Sequence, residues 1–163
     1  MKKVLSLLTI VMATVLLMSG FALAQEKLAT PVQAKELAKK IVTYVKEVGC
    51  EKCLAAMNDP KDAFNTTYAN AYATANDWNG VTLVQARFPY LVGQNHMALK
   101  DADGKPFIKN AIEKSKKDGY ALEVYKWMIP ATKKIETRTL YLEAVDCGKR
   151  GKINVGITYL GSM

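Results

Sequence analysis

Residues able to bind a small anion recur in the segments whose composition predicts β-strands. Such a site needs one cation, a few neutral donors, and aromatic walls that exclude water. Alternation along a strand places Tyr125 and Trp127 on one face, and Gln85 and Arg87 on one face of another strand. Ordinary sheet packing of these side chains is the alternative. The candidate site residues are Arg138, Tyr125, Trp127, Gln85, Tyr72 and Arg87.

Arg138 is the strongest candidate in this set. Leu140 and Leu142 follow it at two-residue intervals and share its face of the predicted strand. An Arg side chain on an otherwise apolar face needs an acceptor for its charge. That acceptor is either a carboxylate of the protein or a ligand.

Catalytic and metal-binding patterns are weaker. No nucleophile motif surrounds the single histidine, His96, so we expect a surface residue or a loop anchor. Segment 101–104, with the sequence DADG, is similar to a calcium loop, but its Gly comes two positions early and Lys105 occupies a ligand position. It instead predicts a carboxylate-rich turn leading into a helix whose first turn holds Pro106. We expect no enzyme activity, no cofactor and no metal.

The three cysteines leave their pairing open. Cys50 and Cys53 have C-x-x-C spacing but follow a helical pattern, whereas a strand precedes a thioredoxin-like motif. Leu54 cannot supply the axial imidazole of a haem-attachment motif. Cys53 is predicted to pack on the apolar side of a short helix, with Cys50 near its start. A disulfide among these two and Cys147 stays open, and a redox or enzymatic role is a third hypothesis for function.

The first 24 residues have the organisation of a cleaved export signal. Lys2 and Lys3 precede a mostly apolar run at 4–17, and 22–24 is a small-x-small cleavage site. Cleavage leaves 25–163, a length that suits a single domain. An uncleaved membrane anchor is the alternative.

The remaining charge is moderately basic. Without Lys2 and Lys3, 21 basic residues face 15 acidic ones, which gives a net charge of +6. The basic residues are scattered over predicted helices without interleaved aromatics, which does not indicate a nucleic-acid surface. The positive charge slightly favours anionic ligands.

Hydrophobic spacing predicts an α+β domain. Thr30 and Pro31 suit the start of the first helix, and Gly80 ends a turn between two strands. Consecutive strands joined by short turns favour an antiparallel sheet, with helices before and between them. The predicted elements are helix 28–48, helix 51–57, strand 68–75, strand 81–87, helix 107–117, and strands 120–129, 135–145 and 152–160.

A longer series of residues carries a family resemblance. It comprises Tyr72, Asp77, Gly80, Pro89, segment 93–95, segment 100–105, segment 125–127, Pro130, Arg138, Tyr141 and Gly156. This order resembles the single Cache domain family over nearly all of 25–163. The resemblance implies an extracytoplasmic sensor module of chemoreceptors or histidine kinases, with a long N-terminal helix on a curved antiparallel, PAS-like sheet that shapes a ligand pocket. Similar members tend to bind small organic anions such as short carboxylates.

Two positions depart from the family pattern. Gln85 and Ala86 stand where a His-Pro pair is common, so an imidazole contact is lost and the ligand is expected to differ. Arg138 stands where Lys is common, which replaces a point donor by a planar fork suited to a carboxylate. Because the chain stops at Met163, where receptors continue into a membrane helix, we expect a stand-alone periplasmic sensor.

The resulting hypothesis is recognition without catalysis. A small organic anion enters the concave sheet face, Arg138 neutralises it, Tyr and Gln donors orient it, and closure of segment 88–100 reports occupancy. The alternative is an accessory subunit that docks a membrane chemoreceptor or histidine kinase and has lost ligand binding. A filled-in pocket would favour that alternative.

Overall fold

A computed structural model describes residues 27–162, and the predicted export signal lies outside the described residues. Among residues 27–162, no helix is long and apolar enough to cross a membrane. The helices are α1 (Pro31–Val48), α2 (Cys50–Asn58), α3 (Ala63–Thr66) and α4 (Phe107–Asp118), and the strands are β1 (Ala71–Asp77), β2 (Thr82–Gln85), β3 (Tyr120–Met128), β4 (Ile135–Asp146) and β5 (Lys152–Leu160).

The five strands form one antiparallel sheet in the order β2-β1-β5-β4-β3. The predicted α+β class is therefore confirmed, and so is the hairpin whose turn ends at Gly80. Gly80 has a φ of +87°. The short helix α3 was not predicted. Strand β2 is shorter than predicted and ends at Gln85.

Helix α1 packs on one face of the sheet, over β5 and β4. Its start is set by a capping box, in which Thr30 accepts from the Gln33 backbone and the Gln33 side chain accepts from the Thr30 backbone. Pro31 occupies the first turn, as predicted. The sheet contributes small and aliphatic side chains to this core, namely Ala71, Ala73, Ala75, Ile153, Val155 and Ile157.

Helix α4 covers only part of the opposite face. Ala111 and Ile112 of α4 pack with Leu140 and Leu142 of β4. Gly119 ends the helix in the left-handed conformation, as its position predicts. Pro106 is the N-cap of α4 and not a residue of its first turn. Because α4 is short, the face over β1 and β5 is left for other segments to cover.

Close approach of β4 and β5 requires a glycine at position 156. Gly156 lies opposite Leu142, and a Cβ at this position would collide with the backbone of Tyr141 and Leu142. Gly156 lies between Asn154 and Thr158 on the face of β5 away from α1, and it places no side chain between theirs.

The free edge of β3 is capped by side chains. The Asp101 carboxylate accepts from the Lys126 amide of β3 at 2.9 Å, and also from two amides within its own turn, as a carboxylate-rich turn predicts. Lys105 and Lys114 each donate to a β3 carbonyl and pair with the buried Glu123 carboxylate at 2.5 Å. An edge blocked in this way is protected from pairing with another strand.

A disulfide joins Cys50, the first residue of α2, to Cys147 beside the turn between β4 and β5. Cys53 is buried, as the helical spacing predicts, and it is a free thiol, which settles the pairing that the sequence left open. Burial raises the pKa of the Cys53 thiol to about 11, so little reactive thiolate forms at neutral pH. Cys50 and Cys53 therefore do not form a C-x-x-C redox pair in this structure.

Candidate ligand-binding site

A small cavity lies on the sheet face that α4 leaves uncovered, and the centres of water molecules can occupy about 30 Å³ of it. The sheet forms its floor, with Tyr72, Thr74, Asn76, Thr82, Gln85, Tyr125, Trp127, Arg138, Leu140 and Thr158. Segment 88–99 and the start of α4 form its roof, with Phe88, Leu91, His96, Leu99, Phe107 and Ile108.

Five of the six predicted site residues line this cavity: Tyr72, Gln85, Tyr125, Trp127 and Arg138. Arg87 does not. The predicted strand 81–87 is too long, because β2 ends at Gln85 and the chain turns at the next two residues. Arg87 is exposed and lines a separate cleft beside Pro60 and Ala69.

Arg138 is buried at 1% exposure and already has protein acceptors. Its Nε and Nη2 donate to Glu136 Oε2 at 3.1 and 2.5 Å, and its Nη1 donates to the Tyr72 hydroxyl at 2.8 Å. A guanidinium has five N–H groups, so one remains on each of Nη1 and Nη2. The sequence predicted either a protein carboxylate or a ligand as the acceptor for Arg138. The structure shows the Glu136 carboxylate in this role, and two N–H groups of Arg138 remain for a further acceptor.

Two tyrosine hydroxyls and one threonine hydroxyl lie together next to Arg138. The side chains of Tyr72, Tyr125 and Thr158 are close enough to affect one another's protonation. Burial raises the pKa of Tyr72, and it raises the pKa of Tyr125 well above its ordinary value. Both phenols therefore stay protonated at neutral pH and act as neutral donors.

Aromatic rings enclose this charged end of the cavity. Phe107 stacks on Tyr125 with ring centroids 4.0 Å apart, and Phe88 lies edge-on to Tyr72 at 6.4 Å. The Phe88 ring also lies 5.1 Å from the Arg138 guanidinium. Rings of this kind exclude water and strengthen each polar contact behind them.

Trp127 closes the same end and carries an unused donor. Its ring lies 6.1 Å from Phe88, and its indole Nε1–H is buried without a hydrogen-bond partner among residues 27–162. A buried N–H without a partner is costly and needs an explanation. Because Trp127 and Arg138 line the same cavity and both lie near Phe88, this N–H is a candidate second donor for an anion.

The far end of the cavity is polar and uncharged. Asn76 Nδ2 donates to Thr82 Oγ1 at 3.0 Å, and Thr82 Oγ1 lies 2.8 Å from His96 Nδ1. Burial lowers the pKa of His96, so this imidazole is neutral at physiological pH. His96 anchors its loop through its backbone amide to Gly80, as predicted, but it is buried and not a surface residue.

Sequence reasoning missed Asn76, Thr82, Thr158 and His96. A β-bulge between β1 and β2 turns both Thr82 and Gln85 towards the cavity, although residues three apart normally point to opposite faces. Asn76 and Thr158 had a readable signal, since polar side chains alternate with apolar ones along their strands. His96 had none, because a loop and not a periodic element places it.

The roof segment is tied to the β1–β2 hairpin. The Gly93 amide donates to the Thr82 carbonyl at 2.8 Å, and the Thr82 amide donates to the Gln94 carbonyl at 3.0 Å. The His96 amide donates to the Gly80 carbonyl at 2.8 Å. A short 3₁₀ turn at Pro89–Leu91 precedes these anchors and carries Leu91 over the cavity.

Solved structures of chemosensory domains share this fold. A methyl-accepting chemotaxis protein from Vibrio parahaemolyticus is 21% identical, with a TM-score of 0.54 over 75% of this chain and 86% of that one. A periplasmic sensor domain of a chemotaxis protein is 15% identical, with a TM-score of 0.55 over 77% and 87%. A Cache chemosensory domain solved for carboxylic acid recognition is 21% identical, with a TM-score of 0.56 over 76% and 86%.

The sequence itself carries the family assignment. No curated protein matches the chain significantly. The family profile described as single Cache domain 2 matches residues 8–146, which is most of the chain. The match agrees with the fold of residues 27–162, in which a long helix packs on one face of an antiparallel sheet and the cavity lies on the other face. The chain belongs to the single Cache domain family of sensor domains.

Proposed function

We propose that this protein is a periplasmic sensor domain that binds a small organic anion, such as a short carboxylate, without catalysis. The observation that carries the proposal is the buried Arg138, which keeps two N–H groups and lines the same cavity as the unpartnered Trp127 indole. A carboxylate has two oxygens that can accept from such donors at once. The Cache domain described for carboxylic acid recognition has the same fold and supports this ligand class.

Glu136 shapes how an anion binds. Its carboxylate balances the Arg138 charge, with the shorter of the two contacts at 2.5 Å, and its side chain is 28% exposed. A buried Arg without any acceptor would be strongly destabilising, so Glu136 stabilises the ligand-free sensor. A bound anion shares the guanidinium with Glu136, which keeps the affinity moderate and the binding reversible.

Binding is proposed to be reported by the roof of the cavity. Phe88 and Leu91 lie over the site, while hydrogen bonds at Gly93 and His96 tie the following residues to the hairpin. Closure within segment 88–100 then changes the surface that a membrane chemoreceptor or histidine kinase contacts. The accessory-subunit alternative predicts a filled-in pocket. The charged and polar lining of the small cavity supports ligand binding as the function we propose.

The test compares substitutions of Trp127 and Trp78, whose buried indole N–H groups both lack a hydrogen-bond partner among residues 27–162. Thermal shift and calorimetry are measured with acetate, propionate, pyruvate and butyrate, each beside its uncharged amide. We expect at least one acid to bind and its amide not to bind. Trp127→Phe, which keeps a ring but removes the N–H, should weaken binding of that acid about tenfold.

Trp78→Phe is the matched control, because Trp78 also has a buried indole N–H without a partner and does not line the cavity. It should leave the affinity unchanged. Binding of amides as strongly as acids would contradict an anion site. Equal losses of affinity in Trp127→Phe and Trp78→Phe would show that Trp127 is not part of that site.

A further inference from the structure

The end of the cavity away from Arg138 has acceptors without donors. Asn76 is 2% exposed, and its Oδ1 accepts no hydrogen bond from any residue between 27 and 162. The same holds for Gln85 Oε1. Buried polar atoms of folded proteins nearly always have a partner, so two such acceptors in one cavity point to a missing donor.

The Asn76 amide is held with this oxygen to spare. Its Nδ2 is used by Thr82 Oγ1, which in turn lies 2.8 Å from the His96 ring. With the amide in this orientation, Oδ1 is the atom left without a partner.

Strand register separates the two ends of the cavity. Tyr72, Thr74 and Asn76 follow one another on the same face of β1, and Gln85 lies opposite Thr74. Tyr72 binds Arg138 and therefore marks the charged end of the cavity. Along the strand direction, Gln85 lies two residues from this end and Asn76 lies four residues from it. Two residues span about 6–7 Å. The cation and the acceptors therefore address different parts of one ligand.

The cavity lining decides which donor suits these acceptors. None of the residues that line it is Asp or Glu. A ligand ammonium group at this end would lose its hydration without a countercharge, which is strongly unfavourable. A hydroxyl group is neutral and supplies one O–H for an amide oxygen.

We propose that the ligand is a hydroxylated carboxylate, whose carboxylate binds Arg138 and whose hydroxyl donates to Gln85 Oε1, the nearer of the two acceptors. This inference rests on the proposed function, since it names the ligand class of the same site. A site built to hydrogen-bond a ligand hydroxyl rejects the analogue that lacks it, because its acceptors then stay unpaired.

The test compares acids that differ at one atom. Calorimetry of the purified wild-type protein is run with butyrate, 3-hydroxybutyrate, 4-hydroxybutyrate and 4-aminobutyrate, and with propionate beside lactate and 3-hydroxypropionate. We expect one hydroxylated acid to bind at least tenfold more tightly than its parent. The amino acid should bind no better than butyrate.

A variant then tests the acceptor. Gln85→Leu is compared with Gln33→Leu, since Gln33 lies at the start of α1, across the sheet from the cavity. Gln85→Leu should bring the affinity ratio of hydroxylated to parent acid close to one, and the control should keep it. The affinity ratio measured with the wild-type protein tests the inference even if a variant fails to fold.

The outcomes separate the two proposals. If no acid of either panel binds, the anion site itself is wrong. If parent and hydroxylated acids bind equally, the anion site stands and the hydroxyl inference is overturned. Preference for the amino compound also overturns it.

Discussion

The two faces of β1 and β5 differ although the same strands make both. Towards α1, the strands present Ala73, Val155, Ile157 and their neighbours, a face that packs like any protein core. Towards the cavity they present polar side chains, including Tyr72, Asn76 and Thr158, and these are as deeply buried. Burial alone therefore does not distinguish structure from recognition; buried polar groups with spare hydrogen-bonding capacity do.

Substitutions at two adjacent residues of β5 test this difference between the two faces most directly. Ile157→Ala deletes buried methyl groups on the α1 face and should lower the free energy of unfolding by about 2–5 kcal/mol. Thr158→Val keeps the shape but removes a buried hydroxyl next to Tyr72 and Tyr125, and should cost about 1 kcal/mol. Urea unfolding measures both changes.

Ligand affinity should change in the opposite order. Ile157→Ala should keep the affinity within about twofold wherever the protein is folded, whereas Thr158→Val should lower it by about 1 kcal/mol or more. Similar effects of both substitutions on affinity would show that the two faces are not functionally separate.

A second comparison uses two glutamates of β4. Glu136→Gln removes the negative charge that shares Arg138, so a ligand carboxylate meets less competition and its affinity should rise about tenfold, or about 1.4 kcal/mol. Glu143→Gln is the control, because Glu143 accepts from the Tyr141 hydroxyl, away from the cavity. Calorimetry with the best-binding acid compares them, and weaker binding by Glu136→Gln would show that Glu136 serves mainly to position Arg138.

The smallest expected effect concerns pH. Burial lowers the pKa of His96 in the folded protein from its ordinary value of 6.5, so the unfolded chain binds more protons just below that pH. The stability that neutral His96 contributes is present above about pH 6.5 and is lost as the pH falls. His96→Gln should unfold with a weaker pH dependence between about pH 7 and 5.5, and an unchanged slope would contradict the assignment.

Most elements were predictable from hydrophobic period and from turn chemistry. Helix α4 begins at the predicted Phe107, and strand β5 has the predicted bounds Lys152–Leu160. The predicted shared face of Arg138, Leu140 and Leu142 follows from the two-residue period of a strand and is confirmed.

The remaining site residues depend on features that periodicity does not encode. A bulge brings Thr82 to the cavity, and a turn after Gln85 takes Arg87 away from it. His96 comes from a loop held by backbone hydrogen bonds, and the Cys50–Cys147 disulfide depends on a contact between residues 97 apart in sequence. Each of these is set by tertiary structure.

The central claim is that Arg138 makes the polar sheet face an anion site. Calorimetry with the short carboxylates tests it in the wild-type protein, in Arg138→Gln, and in Arg87→Gln, which loses an exposed Arg outside the cavity. Circular dichroism checks the fold, and Arg138→Met, which removes the charge and keeps an unbranched side chain, replaces the Gln variant if that variant unfolds. The account predicts a carboxylate that binds the wild-type and Arg87→Gln proteins equally and the Arg138 variant at least tenfold more weakly. A folded Arg138 variant with wild-type affinity, or a wild-type protein that binds none of the acids, would contradict it.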